Sequence, residues 1–283
     1  MNIKFAAHFL KYARSLRPPG SCGAFLEHPV PASRRELAVP VGIVTEHRFA
    51  FAHWIHCKQL LMYDKRAKRR LRDDQFNPPD LISFDWHDDF GCDSDFNRSD
   101  LEILNQRDED EVSLFCWAAL RSLNDGHIKP AVWLNALGNV YIVQKQYADF
   151  ERRSQIVEDR YGNPHSVNFV PSLQALADAF EETGSGTGVI WDVDLDYFVE
   201  PNKRDDSKPP SLLSKRQLRA ILSPRSRWMK QIFGGLRAIT IALEPRYTGG
   251  LAQSLELYRR WENILFDASI FDHECRWRDN PFE

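Results

Sequence analysis

The sequence predicts an α/β fold in three layers, with a mostly parallel central sheet covered by helices on both faces. Three observations carry that prediction. Apolar runs of strand length recur along the 283 residues, at 39–44, 81–84, 132–134, 140–143, 167–170, 189–191 and 239–243. Helical patterns separate many of them, the alternation expected where parallel strands need crossover connections. Four runs also end directly in acidic or imidazole side chains: Glu46-His47, then Asp85 with His87 and Asp89, then Asp192 with Asp194, and finally Glu244. Open parallel sheets bind ligands just beyond the carboxyl ends of their strands, and these are such places.

Composition narrows the class. The chain is 43% hydrophobic and 27% charged, ordinary for a soluble globular protein. Its formal net charge of -3 gives no global attraction to nucleic acid or to a membrane surface, so neither is expected as a partner. The five cysteines (22, 57, 92, 116 and 275) are odd in number, scattered, and contain no C-x-x-C pair. That argues against a disulfide framework or a thiolate zinc site and for a reducing cytoplasm. No apolar run approaches the roughly 18 residues of a membrane span. Segment 3–10 is short, contains His8 and lacks a small-residue cleavage site, so it does not read as a signal peptide. The oligomeric state is open at this level.

Taken in order, residues 1–37 read as an irregular N-terminal extension, rich in proline around Pro18-Pro19-Gly20. The strand at 39–44 leads into Glu46-His47 and a helix over about 49–62. The basic stretch 65–72 reads as a solvated helix face, with a docking patch for an acidic partner as the alternative. After the strand at 81–84, the polar loop 91–107 is long enough to help frame a site. A helix is expected over 111–123, and Ser172 is a natural N-cap for an amphipathic helix over 173–182. Segment 200–211 reads as a polar loop or lid. Helices at 214–222 and 226–233 precede the strand that ends at Glu244-Pro245, and a last helix covers about 251–266.

The chemistry concentrates in two acidic clusters. Asp85, His87 and Asp89 lie at every second position, which in an extended segment puts all three on one side. Carboxylates and imidazole are the ligand set of Mn, Fe, Co or Zn. Asp192, Asp194 and Asp196 answer from the later strand, so the pair suggests a two-metal site. Asp196 reads equally as a ligand, a supporting carboxylate or a surface group. His47 reads as a ligand or as a structural histidine. Glu46 would orient it as an acceptor. His53 and His56, on one helical face, are candidates for moving a proton or for the core, and Trp86 reads as packing.

These motifs resemble those of the arginase/deacetylase (ureohydrolase) superfamily. Asp85-Trp86-His87-Asp88-Asp89 is similar to its D-x-H-x-D motif, Asp192-Val193-Asp194 to its later D-x-D, and 41–55 to its earlier histidine-bearing segment. Glu46-His47, Trp191 through Phe198, and Thr240 through Pro245 with Thr248-Gly249-Gly250 resemble a divergent branch. That branch contains the peptide arginases of ribosomal-peptide biosynthesis, which convert arginine side chains of a precursor peptide to ornithine. The resemblance implies one such domain over 1–283 and two manganese ions. His47, Asp85, Asp89 and Asp192 would hold one ion. His87, Asp85, Asp192 and Asp194 would hold the other, with Asp85 and Asp192 bridging. It implies hydrolysis of a guanidinium group to an amine and urea, with Asp89 accepting the proton of the attacking hydroxide. Glu244 and Asp196 are the candidates to pair with the guanidinium, with Glu46 beside them.

Departures bear on the substrate pocket more than on the metals. Thr45-Glu46-His47-Arg48 replaces a glycine-rich segment, and Leu195-Asp196-Tyr197-Phe198 stands where the family continues with Asp-Gly-x-x-Pro. The next histidine after the first motif is His127, 38 positions past Asp89, so the family's proton-shuttling histidine has no counterpart at the usual distance. The family's substrate glutamate lies three residues before a proline; that position is Ala242, whereas Glu244 directly precedes Pro245. Alternatives at this stage are a hydrolase of free arginine, of a small guanidino compound or of an acylated amine, and a non-catalytic binding protein of the same fold.

Overall fold

The computed structural model describes residues 21–27, 38–64, 69–91, 97–121, 123–145, 154–202, 208–265 and 277–279. Nine of the described strands form one sheet: β1 (Ser21–Glu27), β2 (Ala38–Val44), β3 (Asp80–Asp85), β4 (Val140–Gln144), β5 (Gln155–Glu158), β6 (Pro164–Val170), β7 (Val189–Asp194), β8 (Leu236–Ala242) and β9 (Trp277–Asp279). Their order across the sheet is β9-β1-β2-β8-β7-β3-β4-β6-β5. From β2 to β6 every neighbouring pair is parallel, and the antiparallel pairs lie at the two edges.

The central strands are apolar on both faces because both faces are covered. Ile82 and Phe84 of β3 join Trp191 and Val193 of β7 in one core, under α5 (Leu173–Thr183), α6 (Lys215–Ile221), α7 (Arg227–Gly235) and α9 (Leu251–Leu265). Leu81 and Ile190 face the other way, under α1 (Ala50–Leu61), α2 (Arg98–Ile103), α3 (Glu109–Ala118) and α4 (Ile128–Trp133). The three-layer α/β architecture is the one the sequence predicts. Side-chain caps start the helices where expected. Ser172 Oγ accepts from Ala175 N–H at 3.1 Å, and Ser214 forms a reciprocal capping box with Gln217. No helix among the described residues is long and apolar enough to cross a membrane.

Two expectations need correction. Within 1–37, Ser21–Glu27 is not irregular but a strand next to the sheet edge, paired antiparallel with β2 along its whole length and with β9 on its other side. Residues 132–134 are the end of α4 and the turn after it, not a strand. Pro130 sits in the first turn of α4, where no partner for its nitrogen is needed, and Asn135 stops the helix at φ 54°. The hairpin partner β5 has no strong apolar signal because it is a largely exposed edge. Residues 65–68 of the basic stretch, 92–96 of the first polar loop and 203–207 of the second lie outside the described residues, as does segment 3–10.

Trp261 of α9 is fully buried, with ring centroids 5.5 Å from Trp191 and 6.5 Å from Tyr258. Trp261→Ala is expected to cost about 3–5 kcal/mol of unfolding free energy in urea titrations, and Trp261→Phe much less, because the second keeps most of the volume.

Candidate metal centre

After β3 the chain leaves for β4 on one side, and after β7 it leaves for β8 on the other. The carboxyl ends of β3 and β7 therefore flank a topological switch point, where no connection covers the crevice. Both strands end in the same local device. Asp85 closes β3 and its Oδ1 accepts from His87 N–H at 2.7 Å; Asp194 closes β7 and its Oδ1 accepts from Asp196 N–H at 2.9 Å. Each Asx turn folds the chain back, so that the side chain two residues on returns to the crevice. Asp89 completes the first turn at φ 42°, a left-handed conformation that L-residues seldom adopt. Asp85, His87 and Asp89 thus converge through a turn, rather than through the strand alternation read from sequence.

His47, just past β2, stands at the middle of the group. Its Nδ1 lies 2.7 Å from Asp89 Oδ2, 3.2 Å from Asp85 Oδ2 and 3.3 Å from Asp194 Oδ2. It makes a well-directed hydrogen bond to none of them, and Asp85 Oδ2 and Asp196 Oδ2 are likewise buried without a hydrogen-bond partner. His87 Nδ1 is 3.1 Å from Asp196 Oδ2 and 3.7 Å from Asp85 Oδ1. Potential ligand atoms within 4.8 Å of one another form two groups that share Asp85, namely His47, Asp85, Asp89 and Asp194, and Asp85, His87 and Asp196; a third set joins His47 and Asp89 to His127. Buried polar atoms that converge without bonding one another are what a cation between them would satisfy. The donors are carboxylate and imidazole without thiolate, and Asp85 belongs to both groups, so the cluster is compatible with a binuclear metal site.

The acidic register differs from the expected one by two residues. Asp192, expected to bridge, sits one pleat deeper and belongs to neither group. Its Oδ2 accepts from Ser83 Oγ at 2.7 Å and lies 2.8 Å from His47 Nε2, while Thr240 Oγ1 donates to its Oδ1. Asp194 falls in the first of these groups and Asp196 in the second. Asp196, expected beside the substrate, faces His87 instead, and its Oδ1 accepts from Trp86 N–H at 3.0 Å.

Electrostatics follow from the crowding. Burial, then the charges of Asp196 and Asp85, hold the Asp194 carboxyl well above the usual carboxylate range. Burial and the Asp85 charge do the same to Asp89. Burial opposes a charge on Asp85, but the His47 and His87 rings beside it outweigh this and hold its carboxyl well below the usual carboxylate range. Burial also opposes protonation of His87, yet Asp196 and Asp85 carry its pKa up to about 11.

Glu244 also has positive φ, 38°, where β8 gives way to the short helix α8 (Pro245–Thr248). Its Oε1 accepts from His47 N–H and from Asn124 Nδ2 at 2.8 Å, and burial raises its pKa to about 7. It lines a cavity of about 390 Å³ together with Glu46, Arg48, Asn124, Arg246 and Tyr247. Glu46 is paired with Arg48 at 2.7 Å, so it does not orient the His47 ring. His53 packs against the backbone of Gly42, and His56 is on the surface 3.2 Å from Glu109, so neither reaches the cluster. His127 does, against the expectation from spacing. Its ring is wholly buried, 4.4 Å from that of His47 and stacked on Trp54 at 5.2 Å, with Nδ1 3.9 Å from Asp89 Oδ2. Neither of its nitrogens has a hydrogen-bond partner. The one local signal for it was Asn124-Asp125-Gly126, a turn just ahead of a helix.

Because the folded-state pKa of Glu244 is raised from 4.5 to about 7, the native protein holds this proton while the unfolded chain has lost it. Stability should therefore fall as pH rises from about 4.5 to 7, by at most roughly 1.4 kcal/mol per unit. Glu244→Gln is expected to make that slope shallower in urea titrations of chelator-treated protein, leaving the part that Asp89 and Asp194 contribute.

No protein-family model matches the chain, and no curated protein does. Among solved structures, the proclavaminate amidino hydrolase of Streptomyces clavuligerus aligns with a TM-score of 0.38 and 14% identity, over 79% of this chain and 61% of that one. The chain spans less than two thirds of that protein's length.

Proposed function

We propose that the chain is a binuclear, manganese-dependent hydrolase of guanidinium groups. Its preferred substrate is peptidyl-arginine in a ribosomally made precursor peptide, converted to peptidyl-ornithine and urea in the cytoplasm. The observation that carries the reading is the pair of buried ligand groups sharing Asp85 at the sheet's switch point. His47, Asp85, Asp89 and Asp194 would hold one ion, and Asp85, His87 and Asp196 the other. Two such ions would supply a hydroxide at neutral pH and offset the charge that develops on the guanidinium carbon. A carboxylate-rich, thiolate-free set suits manganese. The peptide preference rests on the motif resemblance around Glu46-His47, 191–198 and 240–250.

The protein's own groups divide the remaining work. Asp89, whose carboxylate reaches the ligand group beside His47, would accept the proton of the attacking water. His127, neutral because burial keeps its pKa well below the ordinary value, is the next base along and passes the proton towards the departing amine. Glu244 offers a carboxylate to the planar guanidinium from the cavity wall. Glu46 and Arg48 pair with each other and shape the entrance. His87, 30% exposed beside Tyr247, marks the side open to solvent.

Incubation of the manganese-loaded protein with arginine-containing peptides, free arginine and small guanidino compounds should release urea, fastest from a peptide, with mass spectrometry locating the ornithine. Asp89→Asn and His127→Ala are each expected to lower kcat by about 10²–10⁴. His127→Ala should leave two ions bound, and loss of one would place His127 among the ligands instead. Absence of urea from every substrate would remove the reading.

A further inference from the structure

Asp192 is wholly buried and yet belongs to neither ligand group. Across the sheet it stands opposite Ser83 of β3 and Thr240 of β8. Both neighbours in that row are hydroxyl residues, and both donate to it. Thr240 Oγ1 in turn accepts from Trp54 Nε1 at 3.2 Å. A carboxylate gripped from both sides by hydroxyl donors has its remaining acceptor capacity aimed at one partner, His47 Nε2 at 2.8 Å.

We infer that Asp192 is not a metal ligand but the positioning residue that fixes the tautomer and ring orientation of His47. This rests on the metal-centre reading above. With Asp192 accepting at Nε2, the proton sits on Nε2 and the Nδ1 lone pair points at Asp85, Asp89 and Asp194. A bare lone pair facing three carboxylates is unfavourable, whereas the same lone pair facing a cation held by them is a ligand. A carboxylate behind a metal-bound imidazole also raises its basicity, and losing such a partner typically weakens metal binding about 10–100-fold. The chain Trp54–Thr240–Asp192–His47 therefore ties the site to α1 and to the centre of the sheet.

The test is Mn²⁺ titration of the chelator-stripped full-length protein by calorimetry, with pulsed electron paramagnetic resonance reading the nitrogen coupling of bound imidazole. The wild type should take two equivalents. D192N should still take two, with the tighter one weakened about 10–100-fold and an altered nitrogen coupling. D194N, a change in the ligand group itself, should lose an equivalent. Binding and nitrogen coupling in D192N that match the wild type would overturn the inference, and so would loss of an equivalent as in D194N, which would make Asp192 a ligand. Should D192N not fold, T240V carries the same test: two equivalents, weaker binding and a shifted coupling support the inference, and unchanged values refute it. A wild type that binds no Mn²⁺ would instead bring down the metal-centre reading, and this inference with it.

Discussion

Five carboxylates buried beside too few positive charges constrain everything else in this structure. Asp85, Asp89, Asp192, Asp194 and Asp196 are all at most 4% exposed, and the imidazoles of His47 and His87 supply no more than two balancing charges. Burying an unpaired charge costs several kcal/mol, so the group must gain protons or a cation. The raised carboxyl pKa values of Asp89, Asp194 and Asp196 describe the first solution. The geometry is compatible with the second as well, because His47 Nδ1, Asp85 Oδ2 and Asp196 Oδ2 converge without a hydrogen-bond partner. A fold that keeps such a group intact must hold it from several directions at once.

It does so with strand ends and turns rather than with long-range ion pairs. β2 presents His47, β3 presents Asp85, β7 presents Asp194 and β8 presents Glu244, all at the same edge of the sheet. The Asx turns after Asp85 and Asp194 bring in His87 and Asp196, and the left-handed backbone at Asp89 and Glu244 aims two further carboxylates. Non-glycine residues in that region cost about 1–3 kcal/mol each and persist where the surroundings over-determine them. Here the surroundings are α1, α3 and α4 packed over the same face, with Trp54 reaching both Thr240 and His127. Rigid elements carry the cluster, and the cavity beside it is bounded by the turn around Glu244 and by Arg48 and Asn124.

Much of this was legible because strand ends are legible. Continuous apolar runs mark the parallel strands, and the polar residues directly after them include His47, Asp85, His87, Asp89, Asp194 and Glu244, which the fold brings to one end of the sheet. What pattern could not give was depth along a strand. Asp192, Asp194 and Asp196 alternate identically, and only the pairing of β7 with β3 and β8 shows that Asp192 faces two hydroxyls while Asp194 and Asp196 reach the crevice. His127 was missed for a related reason: 38 residues separate it from Asp89, and α2 and α3 fill that interval before the chain returns. Spacing measures contour length, whereas proximity depends on how much of the contour is folded away. The 132–134 run misled because three apolar residues in a row fit a buried helix end as well as a strand.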